Sequence, residues 1–375
     1  MNNHNYSVEF SLAKARELYK EGKINEAKEL VLQMAQSRSD DTKTLRAAGL
    51  FLTSGSYFSE FEAAANMLEK CFPDFPSDAL VYNQYAYACW VLQRKEGALN
   101  GSLRAIALCP ENIDTYIRLA MHYFTEGQYT EEFITLSAGI ACCQDKIRIR
   151  RGYTWLKLAE ILMKGIRRVQ FEFDGKRFVF GMNAYNGQAL ETDLCHAHGT
   201  FCEVEELRFL SKALGQCDTI VECGILVGNH LIYFMKMLSP RKIIGFDADS
   251  RSITETNKNV ELNREDGLTT DVELHHKAVG KANGQTTFNG QTVDVVRLSE
   301  AVTEPVDFLK VDVDGMELEV IEGAYEFIKR SRPKIMIEVK KQNMPAFFKE
   351  MQGLGYRVEH SFDRSDHGNI FLVPD

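Results

Sequence analysis
The segment Glu222-Cys-Gly-Ile-Leu-Val-Gly228 joins an acid to two glycines, and Asp247 follows 25 residues after Glu222. Glycines in such a turn let the backbone approach a ligand, and an acid at that distance is placed to take two ribose hydroxyls. Dinucleotide and S-adenosylmethionine sites share this pattern. The chain has no G-x-G-x-x-G, which argues against a pyrophosphate cradle, and no G-x-x-x-x-G-K-[ST], H-E-x-x-H or G-x-S-x-G. Lys277, Asp312 and Glu338 stand at comparable points further along. The stretch Cys195-His196-x-His198-x-x-x-Cys202 invites a zinc reading, but its spacing matches no standard finger. A loop with free thiols is expected there.

The elements that must carry these residues follow from the hydrophobic period. After residue 170 a hairpin is expected around Asp174-Gly175, then a helix over 203–214. Short apolar runs at 219–222, 242–246, 272–276, 306–310 and 334–338 read as strands. They alternate with helices over 229–238, 252–263, 316–329 and 345–353. A terminal strand pair, 356–360 and 370–373, is expected to add an antiparallel edge strand. Strands alternating with helices predict a mostly parallel, doubly wound α/β sheet. Ligands then bind beyond the carboxyl ends of the strands, where Glu222, Asp247, Asp312 and Glu338 fall.

The first 160 residues have a different period. Leu52, Ala86 and Ala120 lie 34 residues apart, as do Ala64, Ala98 and Glu132, and Pro76 is echoed by Pro110. Repeats fall near 45–78, 79–112 and 113–146, with an earlier helix pair at 8–38. Small residues let paired helices approach, and Gly22 or Gly127 suits a turn with positive φ. Stacked pairs build an α-solenoid. The expected division is a helical-repeat domain over 1–160 and an α/β domain over 170–375. A linking helix with an apolar stripe is expected over 147–170.

The net charge of −9 argues against a nucleic-acid binder that relies on bulk positive charge. No window is long and apolar enough for a membrane span. Met1 to Phe10 is polar, without an apolar signal core, and the nine cysteines show no Cys-x-x-Cys pair. Reduced thiols in a cytoplasm are expected.

Two resemblances sharpen this reading. Tyr82, Tyr85, Ala86, Ala98, Ala105 and Pro110, then Tyr116, Leu119, Ala120, Tyr123, Gly127 and Tyr129, make residues 8–146 resemble tetratricopeptide repeats. That implies a protein partner in the groove, or self-association. The stretches Val221 to Asn229, Gly245 to Asp249 with Asn259 and Asn263, and above all Asp307-Phe-Leu-Lys-Val-Asp-Val-Asp-Gly-Met-Glu317 resemble the FkbM family of S-adenosylmethionine-dependent methyltransferases, over roughly 190–375. The family's Ala-Asn in the first turn is replaced here by Ile225-Leu226, bulky enough to crowd the methionine end.

The FkbM resemblance implies a Rossmann-like class I methyltransferase fold with S-adenosylmethionine as cofactor. Glu222, Gly224 and Gly228 would line its methionine moiety, Asp247 would hold the ribose, and Lys277 and Ala278 would flank the adenine. The stretch Gly199-Thr200-Phe201-Cys202-Glu203 would sit near the cofactor or close over it. Asp312, Asp314 and Glu317 would lie where an acceptor enters. The implied reaction is O-methylation of a sugar, glycan or natural-product hydroxyl. Its base would be Asp312, Asp314 or His198, with His196 and His230 as further candidates. His230, just inside a helix, is expected to be structural. A divalent metal on Asp312, Asp314 and Glu338 is an alternative route to an acidified hydroxyl, outside the expected cofactor set. A scaffold whose methyltransferase domain no longer works is the alternative to an enzyme.

Overall fold
A short polar side chain opens each of the odd-numbered helices of the repeats. In the computed structural model, which describes residues 7–54, 60–182, 190–264, 268–313, 315–364 and 366–375, Ser7 caps α1 (Val8–Lys20), Asp41 caps α3 (Thr42–Leu52), Asp78 caps α5 (Ala79–Val91) and Asn112 caps α7 (Ile113–Thr125). Each side-chain oxygen accepts from an amide of the first turn, which the helix itself leaves without a partner. Their partners are α2 (Ile24–Gln36), α4 (Phe61–Lys70), α6 (Lys95–Leu108) and α8 (Tyr129–Cys142), followed by α9 (Ile149–Met163).

Gly127, at φ +70, makes the turn between α7 and α8, and Gln93, 34 residues earlier, takes the same left-handed conformation at φ +58 without being glycine. Each helix packs on the next, and α3, α5, α7 and α9 also pack in sequence. Fully buried Ala27, Ala64, Ala105 and Ala120 provide the close helix contacts. This is the stacked-hairpin solenoid expected from the repeats.

The chain divides into two compact units, Met1–Ile166 and Arg167–Asp375. The second opens with β1 (Arg168–Phe173) and β2 (Lys176–Gly181), antiparallel around Asp174-Gly175. Then come α10 (Leu190–Ala197), α11 (Val204–Leu214), β3 (Thr219–Cys223), α12 (Asn229–Met237), β4 (Lys242–Asp247), α13 (Ser250–Asn263) and β5 (Asp271–His276). A small sheet of β6 (Ala278–Val279), β7 (Gly284–Phe288) and β8 (Gln291–Val296) intervenes. The unit closes with α14 (Leu298–Ala301), β9 (Phe308–Val311), α15 (Glu317–Ser331), β10 (Lys334–Lys340), α16 (Met344–Gly353), β11 (Tyr356–Asp363) and β12 (His367–Pro374).

The main sheet runs β11-β12-β10-β9-β3-β4-β5. From β10 to β5 all neighbours are parallel, and β12 is antiparallel to both β10 and β11. The antiparallel strand is therefore not at the edge, as the sequence reading had it: β12 inserts beside β10, and β11 forms the edge. The small sheet was not expected either. Its segment is polar and rich in Gly and Asn, and every residue of β7 is exposed, so no apolar alternation marks it.

Alternation assigns the two faces of the sheet. Val221, Cys223, Leu309 and Val311 join one core with Val320 and Phe327 of α15. Ile220, Phe308 and Met336 join the other, with Leu231 and Phe234 of α12 and the phenylalanines of the β1–β2 hairpin. Strand order reverses between β3 and β9, which opens a crevice at their carboxyl ends.

Candidate functional site
Two-residue periodicity puts charges into the second face at the end of these strands. Glu222 follows Ile220 on β3, Lys310 follows Phe308 on β9, and the parallel register pairs Glu222 directly with Lys310. Glu338 follows Met336 on β10 in the same way. Glu222 and Lys310 are 1% and 4% exposed, so neither charge is solvated.

Helix α12 adds His230 from the same side, with Nδ1 3.7 Å from Glu222 Oε1 and Nε2 3.1 Å from Glu203 Oε2. The second contact is electrostatic, since no aligned hydrogen bond forms at Nε2. Glu203 reaches in from a left-handed residue at φ +53 that starts α11, and its Oε1 accepts from Asn369 Nδ2 at 2.7 Å. Lys310 Nζ donates to Asp312 Oδ2 at 2.9 Å. A water-sized cavity of about 10 Å³ lies among Glu203, His230, Lys310, Glu338 and Asn369.

Burial and charge oppose each other throughout this cluster. Burial acts to strip the proton from Lys310, but the carboxylates of Asp312, Glu222 and Glu203 outweigh it and hold the ammonium above its ordinary range. Burial pushes the Glu222 carboxyl up to about 6, against the pull of Lys310 and His230. Glu222 Oε2 is buried without a hydrogen-bond partner. Burial also acts on Glu203, yet His230, Lys310 and Asn369 together hold its carboxyl well below the usual range.

On the other side of β3, Asp247 organises the glycine turn. Its Oδ2 accepts the amides of Ile225 and Leu226, each at 3.0 Å, and its Oδ1 accepts the amide of Asp249 at 2.8 Å. A carboxylate offers about four acceptor positions, so Asp247 has one left, on Oδ1. Gly224 is required by the fold as much as by any ligand. At φ +82, a Cβ there would lie 1.9 Å from the Asp312 carbonyl oxygen, because the ends of β3 and β9 meet backbone to backbone. Gly228 donates to the Ile225 carbonyl at 2.7 Å and abuts Thr256.

Residues 222–358 match the family model of the methyltransferase FkbM domain. The chain carries a methyltransferase FkbM domain. Among solved structures, a methyltransferase FkbM from Methylobacillus flagellatus KT is similar at 16% identity and TM-score 0.40, covering 72% of this chain and 65% of that one. The ribosomal protein L11 methylase from Lactobacillus delbrueckii subsp. bulgaricus is similar at 13% identity and TM-score 0.35, over 46% of this chain and 79% of that one. A MamA protein is similar at 20% identity and TM-score 0.36, over 43% of this chain and 84% of that one. No curated protein matches the chain.

The α/β unit gathers some of the expected residues and disperses others. Glu222, Gly224, Asp247 and Asp312 converge on the crevice, and Asp312 is half-buried. Asp314 lies outside the described residues. Lys277 donates its amide to the Asp247 carbonyl at 2.9 Å, and its side chain borders a cleft with Asn283, Asp294 and Glu300. Ala278 pairs with Val295 in the small sheet. His198 is exposed in the turn after α10, where Thr200 donates its amide to the Cys195 carbonyl.

Phe201 is a core residue, 1% exposed against Phe171, Phe173, Phe178 and Tyr233, so its ring is committed to packing rather than to a ligand. His196 is likewise no base. Its ring stacks on Phe180 at 3.8 Å, Nε2 lies 3.1 Å from Asn229 Oδ1, and burial pushes it down to about 3. Glu317 is buried too, and accepts from the Lys340 amide and the Asn343 side chain rather than facing the crevice mouth. Ile225, 3% exposed, packs into the core beside Gly245, which removes half of the expected crowding in the turn. Among the described residues no group of three or more His, Cys, Asp or Glu is placed to hold a metal ion, and no helix is long and apolar enough to cross a membrane.

Proposed function
We propose that the FkbM domain is an S-adenosylmethionine-dependent O-methyltransferase acting on a hydroxyl of a sugar, glycan or natural product. The observation that carries this reading is the Asp247 carboxylate, knitted into the glycine turn with one acceptor position left at the carboxyl ends of β3 and β4. The residues fit the cofactor: Asp247 Oδ1 takes one ribose hydroxyl rather than both, and the orphaned Glu222 Oε2 is a buried acceptor at the methionine end. When bound, S-adenosylmethionine supplies an electrophilic methyl on a sulfonium.

The chain's own work is alignment and proton handling. Holding the acceptor oxygen in line at near-attack distance supplies much of the acceleration. Lys310 fixes Asp312 Oδ2, which aims Oδ1 at the acceptor hydroxyl to take its proton. Because Lys310 is buried among carboxylates, it stays charged and keeps Asp312 in that pose. The helical repeats serve a protein partner or self-association, and the protein works in the cytoplasm.

Calorimetric titration with S-adenosylmethionine and S-adenosylhomocysteine, with NAD as control, tests the reading. Both sulfur ligands are expected to bind, NAD is not, and Asp247→Asn is expected to weaken binding at least about tenfold by removing a charged acceptor. No binding of either sulfur ligand to the folded protein overturns it.

A further inference from the structure
We propose that Cys195 and Cys202 form a redox-active dithiol that closes reversibly into a disulfide against low-molecular-weight disulfides of the glutathione class. The two sulfurs lie 3.1 Å apart, and both cysteines are free and partly exposed. Their approach is fixed from two sides. The carbonyl of Cys195 accepts the amides of His198 and Thr200, each at 3.1 Å, which folds the chain back over the end of α10. The backbone of Cys202 is clamped by one side chain: its amide donates to Asn229 Oδ1 at 3.3 Å, and its carbonyl accepts from Asn229 Nδ2 at 3.2 Å.

Neither zinc spacing nor ligand number suits a metal here, since His196 is locked against Phe180 and Asn229. A covalent S–S bond is about 2.05 Å long, so closing the pair moves the sulfurs by about 1 Å, within the reach of side-chain torsions.

The pair is also chemically polarised. The Cys202 thiol donates to the Cys195 sulfur, which favours the thiolate at Cys195 and holds the proton on Cys202. Cys195 is therefore the attacking sulfur. Its thiolate attacks one sulfur of the oxidant, forms a mixed disulfide and releases one thiolate. Cys202 then loses its proton and attacks Cys195, expelling the second. Two protein thiols and one external disulfide become one protein disulfide and two external thiols, with no other reductant or oxidant needed. The ring closes over Thr200 and Phe201, and Glu203 is the next residue. The oxidation state thus sets the stiffness of the segment that delivers Glu203 to His230. None of this depends on the methyltransferase reading.

The test equilibrates the full chain in glutathione buffers of rising oxidised fraction, quenches with N-ethylmaleimide in denaturant so that every free thiol is reached, and maps the label by peptide mass. Cys195 and Cys202 are expected to lose label together as an internal disulfide. That form should outnumber the glutathione mixed disulfide by at least about tenfold, because one thiol is held at the other. Buried Cys71, Cys89, Cys217 and Cys223 should keep their label. Cys202→Ser is expected to trap glutathione on Cys195, and circular dichroism confirms that this variant is folded. Label retained on both cysteines in the most oxidising buffer overturns the proposal. So does glutathione accumulating on Cys195 of the unaltered chain beside a free Cys202.

Discussion
Glu132 of α8 occupies the repeat position held by Ala98 and Ala64 one and two periods earlier, and all three are essentially inaccessible to solvent. A contact built for a methyl group thus encloses a carboxyl whose two oxygens have no hydrogen-bond partner. Burial pushes it from the ordinary 4.5 up to about 8. The folded chain therefore keeps a proton that the unfolded chain releases. Stability falls as pH rises from 4.5, at about 1.4 kcal/mol per pH unit, and levels off above 8. Over the interval from 4.5 to 7 this amounts to a penalty on the order of 3 kcal/mol.

Glu132→Gln keeps the shape and cannot ionise. It should match the parent near pH 4.5 and exceed it by about 3 kcal/mol at pH 7, every other titration cancelling in the difference. Urea unfolding followed by tryptophan fluorescence is the assay, because both tryptophans, Trp90 and Trp155, lie in the helical unit. A difference that does not change between pH 5 and 7.5 refutes the argument, since it would mean that the carboxyl is solvated or paired in the folded chain.

Lys310→Met leaves Glu222, Glu203 and Asp312 without their shared cation. It should destabilise the α/β unit by about 3–5 kcal/mol at pH 7 in far-UV circular dichroism melts. Adding Glu222→Leu should recover part of that loss, and a strictly additive double variant would show that the two charges do not interact. Gln93→Gly relieves a left-handed residue at the turn that Gly127 makes in the next repeat. It should raise stability by about 1 kcal/mol in the same tryptophan-detected urea assay.

What the sequence made legible, and what it did not, follows from the range of the interactions. Helix caps and repeat spacing act within a few residues or one period, so the hairpins of the solenoid were readable, as were the parallel strands with their apolar cores. The small sheet has no buried face to leave a pattern. The place of β12 depends on pairings with β10 and β11 that no local signal encodes. Gln93 shows the limit from the other side: a left-handed turn was forced by its repeat without the glycine that would announce it.

The site divides in the same way. Glu222, Asp247 and Asp312 were found because they terminate strands, and strand ends can be read from sequence. Lys310 carried a signal that went unused. It is a charge inside an apolar strand, on the same parity as Phe308, and in a buried sheet such a charge must meet an opposite one. Glu203 was reached only as the end of the Gly199 to Glu203 stretch that the resemblance places near the cofactor, and no local pattern marks its own part, because its carboxylate arrives from a loop residue of unusual backbone conformation. Asp247 is the instructive case. The motif identified the residue, but only the folded turn shows that three of its acceptor positions go to the amides of Ile225, Leu226 and Asp249. The acid that would hold a ribose also holds the turn in shape. Replacing it with alanine would then disturb both at once, whereas the isosteric Asp247→Asn keeps one acceptor oxygen for the amides of Ile225 and Leu226 and removes the charge at the cost of the contact with the Asp249 amide, where its NH2 cannot accept.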